Sequence, residues 1–273
     1  AGVTTIVLDS NDQTDGSTAS AATVTGLDGE TVTIRHTVSD DGTDTNGDGN
    51  DYTITNALDT IDDTVNVVLD GVGTESATAE ISFGVKSLDV NSFETVNIES
   101  AKNTAPTFET DGSTAGSAIG AVVLNTLGAL TVSGTTTTVN LSGAAALTIT
   151  DIAGAVMTSL DASAMTGAFI GTLTVADDLA VKLPATVSST INFGSGQLNN
   201  LDSVTGGTGT ADVVSGTVTG LLASTGALTI SAVESVNLTT SGNNTLNLAG
   251  VTGATTVAVT DNVQTITGLD LAT

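Results

Sequence analysis

Short runs of β-branched residues return along this chain at intervals too short for helices. Leu130-Thr131-Val132, Val139-Asn140-Leu141 and Leu147-Thr148-Ile149 follow one another at spacings of 9 and 8 residues. Leu228-Thr229-Ile230, Val236-Asn237-Leu238, Leu246-Asn247-Leu248 and Val257-Ala258-Val259 do so at 8, 10 and 11. In an extended backbone each unit puts two apolar side chains on one face and one short side chain, nearly always polar, on the other. Helix signals are nearly absent, and Gly and Asp punctuate the runs, so the chain reads as all-β.

The units are also repeats. Gly128-Ala129-Leu130-Thr131-Val132-Ser133, leading to Val139-Asn140-Leu141, returns 98 residues later as Gly226-Ala227-Leu228-Thr229-Ile230-Ser231, leading to Val236-Asn237-Leu238. Phe93-Glu94-Thr95-Val96-Asn97-Ile98 matches Val233-Glu234-Ser235-Val236-Asn237-Leu238 in the same way. Leu-Asp-apolar triplets recur at Leu88-Asp89-Val90, Leu160-Asp161-Ala162 and Leu269-Asp270-Leu271, where they read as turns. Short strands at a near-constant interval fit a β-solenoid of stacked repeats. Tandem β-sandwich domains, with strands at similar spacing, are the alternative. Aromatic residues make up 2% of the chain. That scarcity favours a solenoid, whose narrow interior Val, Ile, Leu and Ala fill.

At 273 residues the chain has length for one large domain or two ordinary ones. Residues 1–88 form an acidic, Asp- and Gly-rich β region and residues 89–273 a Thr- and Ala-rich β-repeat region, with a soft boundary near 84–92. Four basic residues (Arg35, Lys86, Lys102 and Lys182) stand against 30 acidic ones, for a net charge of -26. Nucleic acid needs a Lys/Arg patch to displace its counterions, and this chain has too few cations to form one. Anionic membrane surfaces are excluded on the same grounds, and no uninterrupted run of 18 apolar residues offers a membrane span. Divalent cations are the natural partners of such a surface. Cysteine is absent, so no disulfide stabilises the fold. With the scarcity of Lys, this fits an extracellular bacterial protein. Ala1-Gly2-Val3-Thr4 carries neither an initiator Met nor a signal-peptide pattern, so the chain reads as a fragment of something longer.

Three segments are candidate calcium sites. In Asp44-Thr45-Asn46-Gly47-Asp48-Gly49-Asn50-Asp51 the oxygen-bearing side chains of Asp44, Asn46, Asp48, Asn50 and Asp51, with Gly between, suit a tight loop around one hard cation. The twelfth position is Thr55 rather than Glu, so this is a DxNxDG loop and not an EF-hand. The second candidate, Gly206-Gly207-Thr208-Gly209-Thr210-Ala211-Asp212-Val213-Val214, approximates the glycine-rich nonapeptide of calcium-binding β-rolls. There Gly206, Gly207 and Gly209 would adopt positive φ so that carbonyls and Asp212 converge on an ion. Asp9, Asn11, Asp12 and Asp15 form the third. Catalysis has little to build on. His36 is the only histidine, and the adjacent acid pairs Asp62-Asp63 and Asp177-Asp178 would point to opposite faces of a strand or sit in turns.

Phe93–Ile98, Val233–Leu238, the Gly206–Val214 turn and the rung Thr158-Ser159-Leu160-Asp161-Ala162-Ser163 together make residues 60–273 resemble the β-strand-repeat regions of bacterial S-layer and RTX-type surface proteins. The resemblance implies secretion, calcium-dependent folding outside the cell and assembly into a lattice or coat. The expected function is therefore non-enzymatic. It is a structural repeat segment of a calcium-binding surface-layer or extracellular-assembly protein at the bacterial cell surface. Such a segment would associate with itself in a lattice or filament and could contact surface polysaccharide. An adhesin or biofilm-matrix stalk is the alternative, and a polysaccharide-active β-helix enzyme the third reading.

Overall fold

The computed structural model describes residues 4–10, 21–27, 30–36, 51–56, 62–75, 85–102, 122–175, 178–219, 228–241, 244–260 and 263–268. These residues contain strands, turns and no helix. Consecutive strands alternate between two parallel sheets stacked face to face, and each strand pairs with the corresponding strand of the neighbouring coil. The first sheet has 10 strands, from Thr5–Ser10 to Val251–Thr252. The second has 11, from Ala21–Leu27 to Thr256–Thr260, counting the short antiparallel strand Gly73–Glu75 beside Val122–Ser133. A small third sheet pairs Asn244–Asn247 with Val263–Thr267 near the C-terminal end. This is a β-solenoid. A sandwich would be built from antiparallel hairpins, whereas every ladder here but the one beside Gly73–Glu75 is parallel.

The triplets set the register. Thr64-Val65-Asn66, Thr95-Val96-Asn97 and Thr138-Val139-Asn140 lie directly over one another in three successive strands of the first sheet. Their valines point inward and are completely buried, as are Ile98 and Leu141 two residues on. The core is consequently a column of Val, Leu and Ile running the length of the stack. Aromatic side chains enter it at a few places, with Phe93 and Phe169 the largest that are fully enclosed. A one-residue slip in any strand would turn this inner row outward, so the alternation itself holds the register.

The outward row stacks as well. Asn97 Nδ2 donates to Asn66 Oδ1 and Asn140 Nδ2 to Asn97 Oδ1, each at 2.9 Å. The next positions of the same column are Asp161 and Lys182, which form an ion pair at 2.9 Å. Leu160-Asp161-Ala162 and Leu88-Asp89-Val90 are thus strand rungs and not turns, with the apolar residues inward and the carboxylate outward. Asn125, in the strand Val122–Ser133, is fully buried. It accepts from Val72 N–H and donates to Leu69 O, Ser100 Oγ and Ala101 O, so its amide leaves no group unpaired.

Beyond this point paired positions on neighbouring coils of the two long sheets are 20 to 26 residues apart, the widest step lying between Ser203–Thr205 and Thr229–Ser231. The strand Val85–Asn91 crosses the compositional shift near residue 88, and both sheets continue through it.

The matching sequence blocks occupy opposite sheets. Leu130-Thr131-Val132 belongs to the second sheet and Thr229–Ser231 to the first, while Val139-Asn140-Leu141 and Val236-Asn237-Leu238 are exchanged accordingly. The structural repeat is therefore half a coil, one strand and one corner. Both corners that precede the Glu-containing blocks have the same geometry. Ser92 and Ala232 take positive φ (64° and 52°), and Gly134 and Gly253 follow them one coil later at 76° and 83°.

Leu141→Ala empties a site in the middle of the column and is expected to cost about 2–5 kcal/mol. Asn140→Ala, one residue away on the outer face, should cost about 1 kcal/mol through the lost ladder bond. Urea denaturation of the two variants measures the contrast.

Candidate functional site

Three kinds of surface stand out along the stack: the corners that carry buried acids, the outer faces of the sheets, and one shallow groove. The corners come first because the Gly206–Val214 turn is one of them. A corner residue precedes each strand, and its backbone amide, facing along the stack, needs an acceptor that the sheet ladder does not supply. In this turn the acceptor is a side chain of the neighbouring coil. Ser189 Oγ accepts from Phe169 N–H at 3.1 Å, Asp212 Oδ1 from Ser189 N–H at 2.9 Å, and Glu234 Oε2 from Asp212 N–H at 2.8 Å. The Glu234 carbonyl then accepts from Thr255 and Thr256 N–H, both at 3.0 Å. The result is a ladder of side chain-to-backbone bonds running up one corner of the solenoid.

The opposite corner uses the same device. Glu94 Oε2 accepts from Asp63 N–H at 2.6 Å, and Asp202 Oδ1 accepts from Leu179 N–H at 2.8 Å. Asp202 Oδ2 also takes Asn199 N–H at 2.7 Å, closing its own turn. Asp202 and Ser189 were not among the residues the sequence singled out. A signal was available: an acid directly before a strand-opening pair, as in Glu94-Thr95-Val96, Asp202-Ser203-Val204, Asp212-Val213-Val214 and Glu234-Ser235-Val236.

Asp212 itself is completely buried, and its second oxygen accepts from Gly207 N–H at 3.0 Å, so both oxygens are engaged by backbone amides. The glycines of this turn are needed for a reason other than the one expected. None of Gly206, Gly207 and Gly209 has positive φ. Space is what constrains Gly206 and Gly207. A Cβ on Gly206 would lie 1.8 Å from Ala232 O, and one on Gly207 2.3 Å from Pro184 O, so the coils could not stack this closely with any side chain there.

Of the first candidate loop, Asp51 opens the strand Asp51–Asn56, where its carboxylate accepts from Ser87 Oγ at 2.6 Å and lies 3.5 Å from Lys86 Nζ. Asp44, Asn46, Asp48 and Asn50 lie outside the described residues, as do Asn11, Asp12 and Asp15. Asp9 falls in the strand Thr5–Ser10. Among the described residues no three of His, Cys, Asp and Glu are grouped as a metal ion would require.

Burial pushes the Asp202 and Asp212 carboxyls above the ordinary 3.8, outweighing the amides that stabilise their ionised forms; Asp178 and Glu234 add like-charge repulsion. For Asp161, burial alone would act in the same direction. The Lys182 ammonium and the Ser163 donors more than offset it, so this carboxyl lies below its ordinary value.

The outer face of the second sheet carries a groove of about 370 Å³ across four coils. Asn192, Ser215, Asn237, Thr217, Thr239 and Thr260 supply its polar edges, and Gly194 and Gly216 part of its floor. Ser215 Oγ donates to Asn192 Oδ1 at 2.9 Å, and the Thr239 and Thr260 hydroxyls are hydrogen-bonded to each other at 3.1 Å. No lining residue titrates near neutral pH, so the groove offers neutral hydrogen-bonding groups and no acid or base.

Compared with known proteins, the chain matches no family model, no curated protein and no solved structure.

The corner acids make stability depend on pH in a defined direction. Asp202 and Asp212 keep their protons to higher pH in the folded chain than in the unfolded one. Their contribution is fully present below the unfolded value of 3.8 and is lost as pH rises through the raised folded values. Asp202→Asn and Asp212→Asn should each show a smaller fall in denaturation midpoint than wild type between pH 3.8 and neutrality. An unchanged slope in both variants would show that burial does not govern these groups.

Proposed function

We propose that the chain is a structural repeat segment of a secreted bacterial surface-layer or extracellular-assembly protein, with calcium ordering its acidic loops. The observation that carries this reading is the pair of long parallel sheets whose outer rows are short, mostly uncharged polar side chains in register. Such a body supplies length, stiffness and repeated surface. The groove on the second sheet supplies hydrogen bonds to neutral groups and no proton donor or acceptor near neutral pH. An acidic chain with a net charge of -26 repels its own copies in dilute salt. Divalent ions bridge carboxylates on neighbouring copies, whereas monovalent salt only screens them, over about 8 Å at physiological strength.

Ordered particles are expected by light scattering and electron microscopy in millimolar calcium, with dispersed protein in sodium chloride of matched ionic strength. Dispersed protein in both would favour the stalk reading, since a spacer needs rigidity along its axis and no lateral contacts.

Calcium should also raise the melting temperature relative to excess chelator, because an ion that binds only the folded loops adds about 2.7 kcal/mol at 100 times its Kd. Asp48→Ala should lower the number of calcium ions bound, read by native mass spectrometry, while the coils beyond residue 122 keep their melting behaviour. Identical melts in calcium and chelator would remove calcium from the proposal.

A further inference from the structure

The four coils that form the groove on the second sheet carry almost no charge. From residue 183 to residue 260 the only ionisable side chains are Asp202, Asp212 and Glu234. All three sit at corners, where their carboxylates take backbone amides. The outward rows between those corners are neutral. One column of paired positions runs through Asn192, Ser215, Asn237 and Ala258, and a second through Ser195, Thr217, Thr239 and Thr260. The groove lies along these columns, and its volume of about 370 Å³ falls within the range of about 300–1,000 Å³ that small-ligand sites occupy.

Two features set this groove apart from an ordinary sheet surface. The first is a β-bulge. The register between Thr190–Leu198 and Val213–Thr219 shifts after Phe193, so Gly194 has no partner on the next coil. Gln197 belongs to the same irregular stretch, with its Cγ 3.6 Å from where a Cβ on Gly194 would stand. Its Oε1 is buried without a hydrogen-bond partner, alone among the buried side-chain atoms of the described residues. An acceptor left in that state is unfavourable and points to a donor from outside the chain.

The second feature is the use of asparagine. In the first sheet Asn66, Asn97 and Asn140 occupy successive coils and bond to one another. In the groove Ser215 separates Asn192 from Asn237. Ser215 Oγ engages Asn192 Oδ1, while among the described residues Asn192 Nδ2 and the whole Asn237 amide have no partner within the protein. These two carboxamides stand two strand spacings apart, about 9.6 Å, which is roughly the length of a disaccharide.

We propose that the groove binds an extended, uncharged glycan strand laid along the solenoid axis. Carboxamides and hydroxyls both donate and accept, as sugar hydroxyls do. An ionic ligand finds no counter-charge in the groove, and an anion meets the repulsion of a chain at -26. Successive coils repeat similar groups, so successive sugars meet similar partners. A sugar hydroxyl at the Gly194 end supplies the donor that Gln197 lacks, once that side chain turns towards it. The inference goes beyond the assembly reading, because a single chain forms the whole groove.

The test is an NMR titration of the isotope-labelled, full 273-residue chain in excess chelator, so that calcium-driven assembly does not contribute. The probes are cellohexaose and mannohexaose, with hexagalacturonate as their charged counterpart. At least one neutral oligomer should give saturable shifts in the side-chain amide signals of Asn192, Asn237 and Gln197, and hexagalacturonate should give none. Asn237→Asp should weaken binding about tenfold or more. Thr229→Asp, which puts the same charge at an exposed position of the first sheet, should bind as wild type does. Gln197→Met removes the unpaired acceptor, so it should bind more weakly while melting no lower than wild type. Thermal melts confirm that each variant is folded.

No saturable shift with either neutral oligomer, equal binding of hexagalacturonate, or undiminished binding by Asn237→Asp or Gln197→Met would each overturn the inference. So would an equal loss in Thr229→Asp. Movement of the same signals with protein concentration alone would give the groove to a second copy and overturn it as well. These outcomes leave calcium-induced assembly untouched, and a failure of that assembly leaves the glycan titration standing.

Discussion

The parallel ladder between neighbouring coils is the interaction on which everything else in this molecule depends. A strand in a solenoid has no hairpin partner, so its amides and carbonyls are satisfied only by the coils before and after it. Burying Val96 and Val139 in one column brings Asn97 and Asn140 within hydrogen-bonding distance on the other side, and packing and polar stacking therefore reinforce a single register. The corner acids extend the same logic to the places where the sheet ends. There Glu94, Asp202, Asp212 and Glu234 receive backbone amides that no strand can take. The cost falls on Asp202 and Asp212, whose burial opposes their ionisation.

The rungs were legible in the sequence because a period of two writes the inner and outer rows directly into the residue order. Leu-Thr-Val and Val-Asn-Leu leave little choice about which side chains face the core. The pairing of coils was less legible. Identical triplets in both sheets carry no mark of which sheet they belong to, so the exchange of the matching blocks between sheets emerges only from the strand partners. Leu160-Asp161-Ala162 was misread as a turn because an Asp between apolar residues fits a turn locally. Its ion pair with Lys182, one coil away, explains why it stands in a strand.

The Gly206–Val214 turn shows why site chemistry was harder to read than fold. Gly-rich segments ending in Asp suit a metal loop, and they suit equally a tight corner in which a carboxylate collects amides. The difference lies in Ser189 and Glu234, about one coil away on either side, and in the close approach of Ala232 O to Gly206. Local sequence contains neither. The Asp44–Asp51 segment keeps its calcium-type spacing as a feature of the sequence alone, and only its last acid, Asp51, has a described position.

Because the repeating element is half a coil, the fold has a parity. Inserting or deleting a whole coil leaves every later residue on its original side of the molecule. A change of one half-coil moves all later strands to the opposite sheet, with the core intact, since the same apolar triplets fit either side. The 98-residue interval between the matching blocks is an odd step of this kind, and it transfers an asparagine rung from one broad face to the other. A lineage of such chains could redistribute its surface chemistry between two faces by slippage in length, without altering a single interior side chain.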